Sequence, residues 1–123
     1  MSNEDELIIE QIQVGPMQNF AYIVGSSSSR EVAVVDPAWD IAGLLDVINE
    51  RGYKLVAALV THYHPDHCGG SFGSNNVNGV AELLETNPVR IYTNKVEADG
   101  LKKVTGISDN DMKKVESGDK LKI

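Results

Sequence analysis

The pattern of apolar and polar residues divides the chain into strands at its start and alternating helices and strands later. Residues 7–14, 19–25 and 31–36 are rich in β-branched residues and partly alternate, which is typical of strands. The last two of these segments are joined by the short polar run SSSSR. We therefore predict that they form an antiparallel hairpin.

Helical spacing first appears after Pro37. Apolar residues at 41, 44, 45 and 48 predict an amphipathic helix within residues 39–51. The next segment, KLVAALVT at residues 54–61, is an almost continuous apolar run. Such a run predicts a central strand that is buried on both faces.

The remaining elements alternate. They are a helix at 75–85 capped by Asn75, a strand at 89–93, a weaker helix at 94–104, a helical turn at 108–115 and the beginning of a strand at 119–123. The resulting order is β-β-β-α-β-α-β-α-β. This order predicts an α/β fold with a mixed β-sheet flanked by helices.

Composition indicates one globular domain, residues 1–123, in which residues 1–6 are expected to be a flexible N-terminus. Hydrophobic residues make up 41% and charged residues 24% of the chain, and the net charge is −7. This charge disfavours an electrostatic grip on nucleic acid or on an anionic membrane. The chain shows neither a secretory signal nor a membrane span, and its single cysteine cannot form an internal disulfide. We expect a cytoplasmic protein.

The stretch THYHPDHCGG, which leaves the apolar strand, is the candidate for chemistry. It contains every histidine of the chain: His62, His64 and His67. In an extended segment, residues two apart point the same way, so the first two imidazoles can reach one ion. Pro65 would bend the chain, so that Asp66 and His67 serve a second, neighbouring ion. Imidazole and carboxylate suit zinc, and also iron or manganese. The two glycines that follow allow close backbone approach.

These residues resemble a known family. H-x-H-x-D-H after an apolar strand is similar to the signature loop of the metallo-β-lactamase fold superfamily. AVVDPA, residues 33–38, resembles that family's earlier strand ending in an aspartate. The closest resemblance is to glyoxalase II-like hydrolases, which share T-H-x-H-x-D-H-x-G-G. It covers the chain from about residue 7 to its end and implies the N-terminal half of an αββα sandwich.

The resemblance implies a role for each site residue. His62 and His64 would bind a first metal ion, and Asp66 and His67 a second, with Asp66 also assisting proton transfer from the attacking water. Asp36 would orient the ligand loop without binding metal, although an ordinary turn carboxylate accounts for it equally well. The implied cofactor is one or two zinc ions, with iron or manganese as alternatives. The implied reaction is hydrolysis of a small-molecule thioester or related ester by a metal-bound hydroxide.

The chain also departs from the family pattern. The family adds a histidine, a bridging aspartate and a last histidine from a later part of its chain, whereas no histidine follows His67 here. Each ion would have two protein ligands, and a catalytic zinc site usually has three. We therefore expect a truncated hydrolase, inactive by itself, whose open sheet face is covered by homo-oligomer formation or by the missing C-terminal half.

Two alternatives remain open. The chain could be a catalytically incompetent half-domain that associates through its exposed sheet face. It could also belong to a persulfide dioxygenase, a lactonase or a nuclease of the same fold.

Overall fold

The computed structural model describes residues 6–15, 19–72 and 75–120. A six-stranded mixed sheet runs in the order β1 (Leu7–Val14), β2 (Asn19–Ser26), β3 (Glu31–Val35), β4 (Lys54–Val60), β7 (Arg90–Asn94) and β8 (Met112–Val115). A small second sheet pairs β5 (Gly70–Phe72) with β6 (Asn75–Val77). The predicted α/β class with a mixed sheet is confirmed. The prediction for residues 1–6 lies, except for Glu6, outside the described residues.

Strand pairing changes direction inside the large sheet. The pairs β1–β2 and β2–β3 are antiparallel, which confirms the hairpin, and the pairs β3–β4, β4–β7 and β7–β8 are parallel. The apolar strand β4 lies between β3 and β7, the interior position that its composition predicts. The predicted burial on both faces is wrong, because the described helices pack on one face only and Leu59 on the other face is partly exposed. Because β3 and β4 are parallel, their carboxyl ends meet at the same edge of the sheet. Ligand sites in open α/β sheets form at that edge.

The helices lie on one face of the sheet. They are α1 (Ile41–Glu50), α2 (Pro65–Cys68), α3 (Val80–Thr86) and α4 (Lys95–Thr105). Sheet residues such as Val34, Ala58 and Ile91 form one buried cluster with Leu44 of α1, Leu83 of α3 and Leu101 of α4. Burial of this apolar surface is the main stabilising contribution to the fold. None of the described helices is long and apolar enough to cross a membrane.

The opposite face of the sheet, here called the open face, is covered by no helix or strand of the described chain. The pairing registers identify which side chains of successive strands point to the open face. The apolar side chains there include Leu7, Ile9, Phe20, Tyr22, Val24, Ala33, Val35, Ala57, Leu59 and Tyr92. Leu7, Ile9 and Phe20 are 69%, 59% and 40% exposed, so this surface is apolar and open to water.

Helix α1 forms where the sequence predicts it. Ile41, Leu44 and Ile48 are buried on its inner face. The helix starts after Asp40, whose Oδ1 accepts a hydrogen bond from the Gly43 backbone N–H at 3.0 Å. A carboxylate at this position satisfies a backbone donor that has no partner within the helix.

Two predicted helical segments are wrong in part. The helix predicted from residue 75 begins at Val80, because Asn75–Val77 pair with β5 instead, and the residue before the helix is Gly79 rather than Asn75. The helical turn predicted at 108–115 is a short 3₁₀ turn, Asp109–Asp111, followed by strand β8. Pairing with β7 overrides the local helical preference.

The other late elements follow the prediction more closely. The strand predicted at 89–93 and the helix predicted at 94–104 appear as β7 and α4, each shifted by one residue. The strand predicted at 119–123 is wrong for Asp119 and Lys120, which have no strand structure, and residues 121–123 lie outside the described residues.

Candidate metal centre

The sheet edge brings the candidate residues together from three segments. Asp36 follows β3 directly, and Thr61 and His62 follow β4. The Asp36 backbone N–H donates to the Leu59 carbonyl at 2.8 Å, which aligns the two strand ends. The chain then turns at His64 into the short helix α2, which carries Asp66 and His67.

Asp36 joins these segments through its carboxylate, and its side chain is nearly buried at 9% exposure. Its Oδ1 accepts from the Thr61 backbone N–H at 2.7 Å, and its Oδ2 accepts from the Thr61 hydroxyl at 2.7 Å. The same Oδ2 lies 3.0 Å from His67 Nδ1. The backbone of Asp36 has φ of +53°, a left-handed conformation that aspartate adopts more readily than most residues.

These contacts determine where the neutral imidazoles carry their hydrogens. A carboxylate can only accept, so His67 must donate from Nδ1 to Asp36. The Thr61 hydroxyl gives its one hydrogen to Asp36, and it therefore accepts from His62 Nδ1, 2.9 Å away. Both imidazoles are thus N–H donors at Nδ1 and present an unprotonated Nε2. An unprotonated ring nitrogen is what a metal ion requires.

The residues at this edge fit a metal ion. The ring centres of His62 and His64 lie 4.8 Å apart, and those of His62 and His67 lie 4.1 Å apart. Ligand atoms of Asp36, His62 and His67 lie within 4.8 Å of one another. The Asp36 oxygens already accept hydrogen bonds from Thr61 and His67, which favours an orienting role for this carboxylate over direct coordination.

All four predicted ligands reach the same edge. Asp66 Oδ2 lies 3.4 Å from His67 Nε2, so this pair is compact. The His62 ring, however, lies closer to His67 than to His64, so the distances do not divide the residues into the two predicted pairs. The assignment of His62 with His64, and of Asp66 with His67, stays a prediction.

Cys68 has a packing role beside these residues. It is fully buried, and its Sγ lies within 3.3 Å of the Tyr63 carbonyl and 3.5 Å of the His64 carbonyl. Burial, together with the neighbouring Asp36 and Asp66 carboxylates, raises the pKa of the Cys68 thiol to about 12. The thiol therefore stays neutral, and a neutral buried thiol is a poor metal ligand.

Close backbone contacts position the ligand loop. A Cβ on Gly69 would lie 2.6 Å from the Gly79 backbone, and a Cβ on Gly70 would overlap the Val104 carbonyl. Both glycines have positive φ as well. The close approach that the sequence predicts after the histidine motif is therefore present, and it requires glycine.

Helix α4 supports the loop from the other side. The Tyr63 backbone N–H donates to Glu97 at 3.1 Å. The Tyr63 ring lies against Gly100, where a Cβ would lie 2.6 Å from the ring. The helix that carries Glu97 and Gly100 therefore limits how far the loop can move.

Sequence reasoning missed three residues of this centre. Thr61 lies beside the motif, and its place after a buried strand was the available signal. Asn19 and Glu97 contact the loop across 47 and 34 residues, and neither belongs to a pattern that the sequence displays.

Comparison with known proteins identifies the family. The sequence model of the Metallo-beta-lactamase superfamily matches residues 14–119. The chain therefore belongs to the metallo-β-lactamase superfamily, as its sequence resemblance predicts. Members of this superfamily include metal-dependent hydrolases.

Curated relatives are considerably longer than this chain. A probable hydroxyacylglutathione hydrolase of Schizosaccharomyces pombe is 29% identical over 102 residues, which cover 69% of this chain and 40% of that protein. The probable polyketide biosynthesis zinc-dependent hydrolase PksB of Bacillus subtilis is 32% identical over 81 residues, or 66% of this chain and 32% of that protein. The chain thus spans less than half the length of these relatives.

Solved structures share the fold. A metallo-β-lactamase from Staphylococcus aureus superposes with a TM-score of 0.68 at 18% identity, covering 98% of this chain and 32% of that one. ETHE1 from Myxococcus xanthus superposes with a TM-score of 0.67 at 20% identity, covering 94% of this chain and 43% of that one. TTHA1623 in a di-iron-bound form superposes with a TM-score of 0.67 at 24% identity, covering 91% of this chain and 56% of that one. These likenesses establish the fold alone.

The hydrogen-bond chain through Thr61 can be tested by Thr61→Val, which keeps the side-chain shape and the backbone N–H. His62 Nδ1–H then loses its acceptor, so we expect the His62 tautomer with hydrogen on Nε2 to increase. Imidazole ¹⁵N–¹H correlation spectra of the metal-free chain would measure this. The free energy of unfolding should fall by about 1–3 kcal/mol, because Asp36 loses a charge-assisted hydrogen bond.

The matched control is Thr93→Val. Thr93 is a buried threonine on β7 whose hydroxyl donates to the Val60 carbonyl at 3.2 Å. The Thr93→Val substitution should lower the free energy of unfolding while leaving the His62 tautomer unchanged. An unchanged tautomer in Thr61→Val would contradict the proposed hydrogen-bond direction.

Proposed function

We propose that this chain forms the metal-binding part of a glyoxalase II-like hydrolase that cleaves thioesters or related esters. The observation that carries this proposal is the convergence of His62, His64, Asp66 and His67 at one sheet edge. The Nδ1 atoms of His62 and His67 are engaged by Thr61 and Asp36, which leaves Nε2 of each neutral imidazole available to a metal ion. The partial likeness to hydroxyacylglutathione hydrolases supports the thioester class of substrate.

The four converging side chains are the proposed metal ligands. A bound zinc ion would supply Lewis acidity and lower the pKa of its water to about 7. The name of the zinc-dependent relative PksB supports zinc, and the di-iron form of TTHA1623 keeps iron as an alternative.

Asp36 and Asp66 have different proposed tasks. Asp36 is nearly buried and engaged by Thr61 and His67, so it holds the imidazoles in the required tautomer and orientation. The Asp66 side chain is 17% exposed, at the border between the centre and solvent. From that position its carboxylate can receive a proton from the attacking water.

We propose that the 123-residue chain alone binds metal weakly and does not catalyse turnover. All three histidines lie in one loop, so two ions would share three imidazoles and Asp66. A catalytic zinc site usually has three protein ligands. The curated relatives have more than twice the length that this chain covers, which leaves room in them for further ligands.

Metal titration of the purified chain tests this proposal. We expect measurable but weak Zn²⁺ binding by calorimetry, weakened at least about tenfold by His62→Ala, His64→Ala or Asp66→Asn. Asp99→Asn is the control, because that carboxylate is 92% exposed on α4. Hydrolysis of a hydroxyacylglutathione thioester should stay at background. Zn²⁺ affinity unchanged in all three site variants would exclude the ligand assignment, and rapid turnover would contradict the inactivity of the isolated chain.

We also propose that a second copy of the chain covers the open face. Two sheets can pack face to face through such apolar surfaces, and a two-fold axis requires only one self-complementary patch. The open face also carries Glu31 on β3 and Arg90 and Lys113 on β7 and β8. A two-fold packing can bring these opposite charges together across the interface.

Sedimentation velocity tests the dimer. The chain should sediment as a dimer at high micromolar concentration, and Ile9→Lys should shift it to a monomer by placing a charge in the apolar patch. Val96→Lys is the matched control, because Val96 is 77% exposed on α4, away from the open face. A monomeric unsubstituted chain, or an Ile9→Lys variant that stays dimeric, would overturn the proposal.

A further inference from the structure

Asn19, the first residue of β2, contacts both Asp66 and His67. Its Nδ2 lies 3.0 Å from Asp66 Oδ2 and 3.3 Å from His67 Nε2. Those two acceptor atoms are themselves 3.4 Å apart. One amide group therefore bridges the two side chains that are the predicted ligands of the second ion.

The chemistry of the neighbours determines the orientation of this amide. With the opposite orientation, Oδ1 would face a carboxylate and an unprotonated ring nitrogen, and neither of them can donate a hydrogen. Nδ2 must therefore point at Asp66 and His67. The neutral His67 imidazole carries one hydrogen, which it donates from Nδ1 to Asp36, so in this form its Nε2 can only accept.

Asp66 and His67 differ in whether they have a lone pair left for a metal ion once they accept a hydrogen bond from Asn19. A carboxylate oxygen keeps further lone pairs after it accepts one hydrogen bond, so Asp66 can accept from Asn19 and still bind a cation. The Nε2 atom of a neutral imidazole has a single lone pair. A hydrogen bond from Asn19 and a bond to a metal ion at His67 Nε2 therefore exclude each other.

The other end of the amide is held less firmly. Asn19 Oδ1 is buried and has no hydrogen-bond partner within the described parts of the chain. A buried acceptor without a partner is unfavourable, so the amide is not locked in place from that side. Displacing Asn19 from His67 thus costs about one hydrogen bond.

We propose that Asn19 competes with the second metal ion for His67 Nε2 and so favours occupation of the first site alone. This inference rests on the proposed function, because it takes Asp66 and His67 as metal ligands. Asn19 is thus a positioning residue. It sets the relative affinity of the two ions without being a ligand.

The contact itself can be tested in the metal-free chain. Removing the hydrogen bond in Asn19→Ala should move the ¹⁵N resonance of His67 Nε2 to higher frequency, towards that of an imidazole nitrogen that accepts no hydrogen bond. Asn19→Ser, whose side chain is too short to reach, should do the same. Asn49→Ala, at an exposed asparagine of α1, is the control and should leave the resonance in place. An unmoved resonance in both Asn19 variants would overturn the proposal.

The competition is tested by Zn²⁺ titration of the same variants. We expect Asn19→Ala to bind the second ion about threefold to tenfold more tightly than the unsubstituted chain, the effect of removing one competing hydrogen bond, with the first ion unaffected. His67→Ala should abolish the second binding event. Equal or weaker second-ion binding in Asn19→Ala, with the His67 dependence intact, would overturn the competition while leaving the proposed function standing. Absence of Zn²⁺ binding in every variant would overturn both.

Discussion

The carboxylate of Asp36 is the group on which the arrangement of the metal centre depends. It accepts two hydrogen bonds from Thr61 and one from His67, and through the Thr61 hydroxyl it also determines the hydrogen position on His62. One nearly buried charge on a separate strand end thus orients two imidazoles of the ligand loop. Hydrogen bonds to a charged group are stronger than those between neutral groups, so this anchor can also hold an unusual backbone conformation.

The parallel pairing of two neighbouring strands places that carboxylate beside the ligand loop. Strands β3 and β4 are parallel neighbours, so the residues that follow them emerge side by side at one edge. Helix α2 starts immediately beyond, and the close contact between Gly69 and Gly79 holds its end. Helix α4 contributes Glu97 and Gly100, which contact Tyr63 within the loop. The motif therefore depends on backbone packing around it as much as on its own residues.

Much of this could be predicted from local pattern. The early strands, helix α1 and the interior strand β4 follow from apolar spacing, because each element buries an apolar face. The motif at the end of β4 was found separately, from the spacing of its histidines and aspartate. The short strands β5, β6 and β8 could not be predicted, since three or four residues show no period and their pairing is decided by distant partners. Asn19 was missed for the same reason, because its contacts with Asp66 and His67 form only when β2 and α2 come together.

The most direct test of the account is the position of the imidazole hydrogens in Asp36→Asn. An asparagine has one acceptor oxygen, so it cannot accept from the Thr61 backbone, the Thr61 hydroxyl and His67 with the present geometry. We expect ¹⁵N–¹H correlation spectra of the folded, metal-free variant to show hydrogen moving from Nδ1 to Nε2 on His67. The hydrogen on His62 should move to Nε2 as well, because the Thr61 hydroxyl that accepts from His62 Nδ1 is reoriented. If both histidines keep hydrogen on Nδ1 in the folded variant, Asp36 does not organise the centre.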